Sequence, residues 1–386
     1  MTRRGSISAF AAFGVFWGAW AVLVPAIKEQ TGASVTALGV ALLFVAAAAL
    51  PSMFATGLLI DRFGPKILPM AATFFGLAVL IPGLTHSVWQ LVLALIVVGA
   101  ASGALDVSIN FGATSIEACG GAPIMQKAHA SFSGGFLAGS VFAAVAREAG
   151  VHSVPILLAT SAVPFLSAWL NRDALRLPPP AERRAPRISI TRPLLVLGVL
   201  CGIAFIVESG IEEWSALFLE TELDAAPVYA GLGPAFFAAA MVTGRVLGHG
   251  LGLRFGDRTL LAGGALLSAC GLAVTSTSTV IPVALIGFFA GGAGISVAAP
   301  VLLGAAGRGA SERERGSSVA SVTTVSYLGF LAGPPLIGIV SGALDLRAGV
   351  ALMAGIAALT AFAASSLGAD ALPLRRLQHP ARQSVS

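Results

Sequence analysis

Acidic side chains stand inside two of the apolar stretches of this sequence. Asp106 is followed four residues later by Asn110, and Glu208 by Glu212, so each pair would share one face of a helix. A carboxylate among apolar residues is costly unless it is paired or neutralised. Glu208 and Glu212 would also repel each other, and a bound proton would relieve that repulsion. The spacing makes Glu208 and Glu212 candidates for proton exchange, and it places Asn110 where it could orient Asp106 or bind a ligand hydroxyl.

Simpler interpretations of these acids stay open. Asp106 could mark the end of its apolar stretch, and Glu212 could lie with Glu213 in a polar layer at the end of the other stretch. Glu208 fits that alternative less well, because it would lie about 22 Å beyond Pro193, where its stretch begins.

Aromatic and imidazole side chains offer a second kind of chemistry, the binding of a polar ring. Trp17 lies in the middle of the first apolar stretch and Tyr327 in a later one, where both could line a cavity. His129 opens another stretch and could contact a ligand or a nearby acid, and Trp20 and Trp214 could stack on a ring. The competing interpretations are anchoring at the membrane interface for tryptophans in general, core packing for Trp17 and a structural role for His129.

The same inventory excludes several classes of chemistry. The cysteines, Cys119, Cys201 and Cys270, are far apart and form no CxxC site, and the five histidines lack metal-ligand spacing. Neither a nucleophile–base arrangement nor a GxxxxGK[ST] phosphate-binding loop occurs in the sequence. We therefore expect no metal, no cofactor and no enzymatic activity.

The elements that must position these groups are strongly apolar. Of the 386 residues, 56% are hydrophobic and only 11% are charged, whereas a soluble domain carries about a quarter charged residues. Most of the surface must therefore face lipid. A bilayer core needs about twenty apolar residues per helix, and clusters of charge, Pro and Gly separate twelve such stretches. The predicted spans are 7–27, 35–57, 67–84, 88–110, 129–146, 154–170, 193–219, 228–249, 259–276, 279–300, 318–340 and 348–367.

Basic residues fall on one side of this layout. With both termini in the cytoplasm, all 23 Lys and Arg residues except Lys28, Arg147 and Arg347 lie on the cytoplasmic side, Arg245 included. This is the asymmetry of the positive-inside rule. The net charge of +5 thus reflects membrane topology and not a nucleic-acid partner. We expect a multi-pass protein of the cell (inner) membrane, monomeric in the lipid bilayer.

The chain divides into two similar halves. Residues 171–192 are rich in Pro and Arg, as in a solvated linker, and separate residues 1–170 from residues 193–386. The segment GFLAG at 135–139 recurs at 329–333, and RFG at 62–64 recurs at 254–256. We predict an all-α integral membrane fold, with twelve transmembrane helices in two pseudo-symmetric six-helix bundles. Parallel repeats of this kind place a substrate site between them.

The loop after the second span carries a family resemblance. The segment 57–66 reads GLLIDRFGPK and resembles the cytoplasmic signature of the major facilitator superfamily. The resemblance implies a latch that holds one transport state, formed by Gly57, Asp61, Arg62 and Gly64. Arg254 would be the counterpart in the second half, where Leu253 replaces the acid and weakens any second latch.

Three shorter segments resemble the fucose-permease-like branch of that superfamily and its bacterial relatives. They are LDVSIN at 105–110, HASFSGG at 129–135 and ESGIEEWS at 208–215. The branch resemblance implies proton coupling and small-solute substrates, with Asp106 as a coupling carboxylate. The glycine- and proline-rich segment 329–338 is interpreted as a hinge or, alternatively, as a place of close packing.

These features favour a secondary active transporter that works by alternating access. It would couple protons to the movement of a small polar organic solute, for which a sugar is one candidate. A proton-driven exporter of amphipathic compounds on the same fold is the alternative. A non-transporting receptor or scaffold is a weaker one, because it would not need carboxylates inside its spans.

Overall fold

The computed structural model describes residues 3–118, 124–176, 190–311 and 314–366, in which the regular elements are helices. The α-helices are α1 (Arg3–Thr31), α2 (Val35–Phe63), α3 (Ile67–Ala78), α4 (Val88–Ala118), α5 (Met125–Glu148), α6 (Ser153–Leu170), α7 (Arg192–Leu223), α8 (Pro227–Ala230), α9 (Leu232–Phe255), α10 (Asp257–Thr277), α11 (Ile281–Ile295), α12 (Ala298–Arg308), α13 (Arg315–Ala343) and α14 (Leu346–Ser366). Short 3-10 helices cover Gly64–Lys66, Ile81–Leu84 and Arg172–Arg176.

Eleven of the described stretches are long and apolar enough to cross a membrane. One of them, Val35–Leu84, has 50 residues and contains both α2 and α3, which the turn at Gly64–Lys66 separates. It therefore accounts for two crossings. Since α8 with α9 forms one stretch and α11 with α12 another, the described chain crosses twelve times. The N-terminal bundle consists of α1–α6 and the C-terminal bundle of α7–α14.

The same turn ends a helix in each bundle. Gly64 ends α2 with a φ of 66°, and Gly256 ends α9 with a φ of 80°. Both values lie in the region that side chains with a Cβ rarely adopt, so glycine is needed there. The guanidinium groups of Arg62 and Arg254 each lie 5.1 Å from the ring of the phenylalanine that follows. The repeated RFG motif thus forms a repeated structure.

The repeated GFLAG motif also has one structural role in both bundles. A Cβ at Gly135 or Gly139 of α5 would collide with the backbone of α1. A Cβ at Gly329 of α13 would collide with the backbone of α7, and one at Gly333 would meet it at 3.3 Å. Small residues allow such close approach between membrane helices. The packing of α5 on α1 is therefore repeated by α13 on α7.

The two bundles are joined at what we call the sealed end, where α1 connects to α2, α3 to α4, α5 to α6, α7 to α8, α10 to α11 and α13 to α14. There the guanidinium of Arg147 on α5 forms an ion pair with Glu220 on α7 and donates to the Val22 carbonyl oxygen at 2.9 Å. The backbone N–H of Val228 donates to Oε2 of Glu148 at 3.2 Å. These contacts connect α1 and α5 to α7 and α8 across the interface.

Helices α2 and α13 complete the sealed end. The Thr36 hydroxyl donates to the Gly338 carbonyl oxygen at 3.3 Å, and a Cβ at Gly39 would lie 2.7 Å from the Pro334 carbonyl oxygen. Helix α13 continues through its prolines without a break. The segment 329–338 is thus a place of close packing in this structure, and the hinge interpretation stays a prediction.

The twelve crossings follow the predicted spans in number and order, and most of them extend further, whereas α3 ends at Ala78 and not at residue 84. Helix α4 ends at Ala118 and not at residue 110, and α7 ends at Leu223 and not at residue 219. Two predicted spans are broken, one after Ala230 and the other between Ile295 and Ala298. The proline-rich part of the predicted linker 171–192 lies outside the described residues, as does the predicted tail beyond residue 366.

Candidate functional site

An ion pair links two helices of the C-terminal bundle in the interior of their spans. Glu208 lies midway along α7, and its Oε1 is 3.7 Å from Nη2 of Arg245 on α9. The Arg245 side chain is 42% exposed and that of Glu208 only 15%, so the pair has one accessible and one enclosed partner. Arg245 was assigned to the cytoplasmic side with the loop residues, and that assignment is wrong. It lies inside α9, and the predicted span 228–249 already enclosed it.

A second polar pair lies on α4 of the N-terminal bundle. Nδ2 of Asn110 donates to Oδ1 of Asp106 at 3.1 Å and to the Asp106 carbonyl oxygen at 2.9 Å. Asn110 thereby orients the carboxylate, as its spacing predicts. Helix α4 continues twelve residues beyond Asp106 to Ala118, so Asp106 does not end the helix, and the alternative that it marks the end of the apolar span stays open.

Tyr327 on α13 lies near one acid of each polar pair. Its hydroxyl lies within electrostatic range of both Asp106 and Glu208, which belong to different bundles. The Tyr327 ring packs against Phe330 and Phe205, with centroids 5.8 and 6.5 Å away. Tyr327 is therefore within electrostatic range of acidic groups from both bundles.

His129 extends this site along α5. The imidazole packs edge-on against Phe10, with ring centroids 5.1 Å apart, and it is exposed. It lies within electrostatic range of Arg245 on the opposite bundle. His129 is thus near the Arg245 cation, and no contact with Asp106 is recorded for it among the described residues.

The predicted aromatic residues divide into two groups. Trp17 is partly buried and packs against Phe16 and Phe13, next to the contact of Phe136 on α5 with Ala238 on α9. It therefore lies near the interface between the bundles. Trp20 and Trp214 are each 1% exposed and belong to the helical core. Neither is accessible for stacking on a ligand in this structure.

Two further acids, Glu212 and Glu213, follow Glu208 on α7. Nε1 of Trp20 donates to Oε2 of Glu213 across the interface at 3.3 Å. Glu213 is partly buried and bonded to Trp20, and the alternative that it lies in a headgroup layer stays open. Glu212 lies within electrostatic range of Glu208 and Glu213 and is partly buried. The contact of Glu213 with Trp20 has no signal in the sequence, because the two residues are 193 positions apart.

A comparison with known sequences decides the family. The sequence model of the Major Facilitator Superfamily matches residues 5–250 and 214–384. The chain belongs to the Major Facilitator Superfamily. It is therefore a multi-pass membrane transporter and not an enzyme, as the signature at 57–66 predicts.

Two relatives align with this chain over most of its length. An uncharacterised MFS-type transporter of Yersinia pestis is 32% identical over 336 residues, which cover 86% of this chain and 87% of that protein. Membrane protein MosC of Rhizobium meliloti is 27% identical over 355 residues, with 91% and 86% covered. The narrower resemblance to the fucose-permease-like branch stays a prediction.

Solved structures share the superfamily fold at low sequence identity. The nucleoside transporter NupG matches with a TM-score of 0.77 and 13% identity, over 94% of this chain and 98% of that one. A bacterial homologue of the human lysosomal transporter Spinster matches with a TM-score of 0.76 and 16% identity, over 96% and 97%. The predicted all-α membrane fold is confirmed.

The superfamily signature lies away from the central site, at the end opposite the sealed end. Asp61 and Arg62 are exposed in the last turn of α2, and no partner of Asp61 is found among the described residues. A Cβ at Gly57 would meet no atom within 4 Å. Arg254 occupies the equivalent place at the end of α9. The latch formed by these residues stays a prediction.

Proposed function

We propose that this chain is a proton-coupled transporter of a small polar organic solute, which binds between the two bundles. One observation carries the proposal. Asp106 of the N-terminal bundle and Glu208 of the C-terminal bundle both lie within electrostatic range of Tyr327. Ionisable groups in the interior of spanning helices are costly and usually serve transport. At the interface of two repeats, their charge state can affect both bundles.

Asp106 is the proposed site of proton coupling. Adding a proton removes a charge whose cost differs between a wet, open site and a dry, closed one. Proton and solute can then bias the same equilibrium between two conformations. Asn110, which donates to the Asp106 carboxylate, would donate to a solute hydroxyl when the carboxylate is protonated.

Glu208 and Glu212 would take part through the neighbouring cation. Glu208 interacts with Arg245, and a proton on Glu208 would remove that attraction and release the guanidinium. Glu212 lies one turn beyond Glu208 within electrostatic range, so its charge affects the same pair. This arrangement would connect the protonation of α7 to the position of α9.

The proposed solute contacts are polar groups beside aromatic rings. Asn110, His129 and Tyr327 offer hydrogen-bonding groups, and Trp17 offers a ring near the interface. Hydroxyl-bearing rings such as sugars suit this combination. NupG, which shares the fold, is a transporter of nucleosides by its description, and nucleosides also combine a sugar with a ring. These two classes are the first solutes to test.

We infer that the sealed end faces the periplasm and both termini face the cytoplasm. Most Lys and Arg residues are predicted to lie away from the sealed end, and the positive-inside rule assigns such residues to the cytoplasm. After the native cysteines are replaced by serine, an impermeant thiol reagent applied to whole cells should label His152→Cys and not Lys127→Cys. Labelling of Lys127→Cys alone would reverse the orientation.

The decisive experiment compares two transport modes of Asp106→Asn in proteoliposomes. The solute is first identified by screening sugars, nucleosides, acids and drugs for solute-induced proton flux. The variant mimics the protonated carboxylate, so it should retain solute counterflow but lose accumulation driven by a pH gradient. Its internal-to-external solute ratio should then stay at about one.

A matched control makes the same replacement of aspartate by asparagine at a position outside the site. Asp224→Asn alters an aspartate in the turn after α7, where the φ of 48° is well tolerated by asparagine. This control should accumulate solute like the wild-type protein. Wild-type accumulation by Asp106→Asn would refute its coupling role.

Export of amphipathic compounds is the second candidate function. The aromatic groups near the interface favour it, since Phe13, Trp17 and Phe132 in one bundle and Phe205 and Phe330 in the other offer apolar contact area. Inside-out vesicles separate the candidates. Proton-driven uptake of a hydrophobic dye into such vesicles, with no response to sugars or nucleosides, would favour export.

A further inference from the structure

A recess lies on the outer surface of the C-terminal bundle, between α10 and α14. Its volume is about 630 Å³, and it is remote from the interface between the bundles. Arg258, Thr259 and Ser365 line one part of it. Because α10 and α14 are membrane-spanning helices, lipid is the medium that contacts this surface.

Polarity changes with depth along the recess. Arg258 and Thr259 lie in the first turn of α10 and Ser365 in the last turn of α14, so all three are at one end of the span. Phe362 and Leu266 lie deeper and are 69% and 56% exposed. Leu266 is about 12 Å below Arg258 at ~1.5 Å per residue, within one leaflet of a hydrocarbon core about 30 Å thick. This order, polar and then apolar, matches that of a phospholipid.

The charge at the polar end is positive. Asp257, the nearest acid on α10, is paired with Arg308. The Arg258 guanidinium donates to the Ser365 carbonyl oxygen and remains exposed, while Arg254 ends α9 close by in sequence. An exposed cation beside an acid that is already paired favours an anionic headgroup.

Small residues create the space for an acyl chain. The RFG repeat aligns Arg258 with Lys66 of the N-terminal bundle, and Ala262 with Met70. Next to Ala262, a Cβ at Gly263 would meet no atom within 4 Å. The C-terminal bundle thus has a cation like its counterpart but less side-chain volume beneath it.

We propose that this recess binds one anionic phospholipid. The headgroup phosphate contacts Arg258, Thr259 and Ser365, and an acyl chain lies along Gly263 and Leu266. Basic pockets between spanning helices are known to bind anionic headgroups. The site is separate from the solute site and does not depend on the direction of transport.

Native mass spectrometry of the purified protein, titrated with phosphatidylglycerol or phosphatidylcholine, tests the site. The wild-type protein should retain one phosphatidylglycerol in preference to phosphatidylcholine. Arg258→Gln should weaken that binding about fivefold, the effect of one basic residue near a membrane surface. Gly263→Leu should weaken it too, because its side chain would occupy the recess, and a Cβ at this position meets no atom within 4 Å. Lys66→Gln removes the equivalent cation of the other bundle and should change nothing.

Each variant must have the melting temperature of the wild-type protein, so that weaker lipid binding cannot be caused by unfolding. Wild-type retention of phosphatidylglycerol by Arg258→Gln or Gly263→Leu would overturn the proposal. It would also fail if the full chain bound no lipid while a chain ending at Ser366 did. That result would make residues 367–386 the occupant of the recess.

Discussion

Single residues at the centre of the molecule act in pairs, and the Glu208–Arg245 pair is the most informative of them. Its atoms lie 3.7 Å apart, and Arg245 is 42% exposed, so solvent screens part of the attraction. The pair nevertheless joins α7 to α9 in the interior of the span. Removing one partner leaves an unpaired charge, which costs more than removing both.

A double-mutant cycle measures this interaction. Arg245→Gln should lower the melting temperature in detergent, and addition of Glu208→Gln should recover part of the loss. We expect a coupling free energy of about 0.5–1 kcal/mol, as for other exposed pairs. If the two effects simply add, the two side chains do not interact in solution.

The sequence predicts the acids of the site better than it predicts their partners. Asp106, Glu208 and Tyr327 stand out because they are polar residues in apolar spans. The bond from Trp20 to Glu213 joins residues 193 positions apart, and only the packing of the two bundles brings them together. Local patterns carry no information on such contacts.

Helices associate through glycine on one face and tolerate side chains on others. On α5, a Cβ at Gly139 would collide with the backbone of α1, whereas a Cβ at Gly134 would meet nothing within 4 Å. The two positions are in the same helix and five residues apart. They differ only in what they face, so they form a matched pair.

Gly139→Ala should therefore destabilise the protein, by about 1–3 kcal/mol, the usual cost of overpacking. Gly134→Ala should be neutral or stabilise slightly, since alanine is the better helix former. Thermal unfolding in detergent compares them directly. Equal melting temperatures would mean that α1 and α5 separate easily at this contact.

The turn after α2 is the element in which the signature residues lie. If Asp61 latches the opposite conformation, Asp61→Asn should slow solute exchange while leaving solute affinity almost unchanged. Exchange rates in proteoliposomes and solute-dependent thermal stabilisation measure the two quantities. A parallel loss of affinity would instead place Asp61 in the solute site or indicate misfolding.

At the level of elements, hydropathy predicts the number and order of the spans and misses their ends. The apolar window measures the thickness of lipid, whereas a helix continues into the polar layer until a capping residue or a turn stops it. Gly64 and Gly256 are such stops, and both belong to the RFG repeat. The break between α11 and α12 has no comparable signal, because it lies within an apolar run.

In the whole molecule, the sealed end holds two ion pairs that differ in one respect. Arg147–Glu220 joins the two bundles, whereas Arg347–Glu222 joins α14 to α7 within one bundle. Breaking the first should favour opening of the sealed end. Breaking the second should cost stability without changing the balance of conformations.

Spin labels placed across the sealed end on α2 and α13 can measure that balance. Arg147→Gln should broaden the distance distribution toward longer values, and Arg347→Gln should leave it unchanged. The same distribution for both variants would mean that other contacts, such as the packing of Gly39 on α13, keep this end closed.

Close contacts at glycine hold α1 against α5 and α7 against α13, so each pair of long helices moves as a rigid body. Helix α7 has 32 residues and is about 48 Å long. A rotation of about 10° around its midpoint would move each tip by roughly 4 Å, in opposite directions. One rotation would then widen the space between the bundles at one end and narrow it at the other, with Tyr327 near the centre of rotation. A pore open at both ends would require one of these helices to bend. The helix packed against it through glycine resists such bending along much of its length.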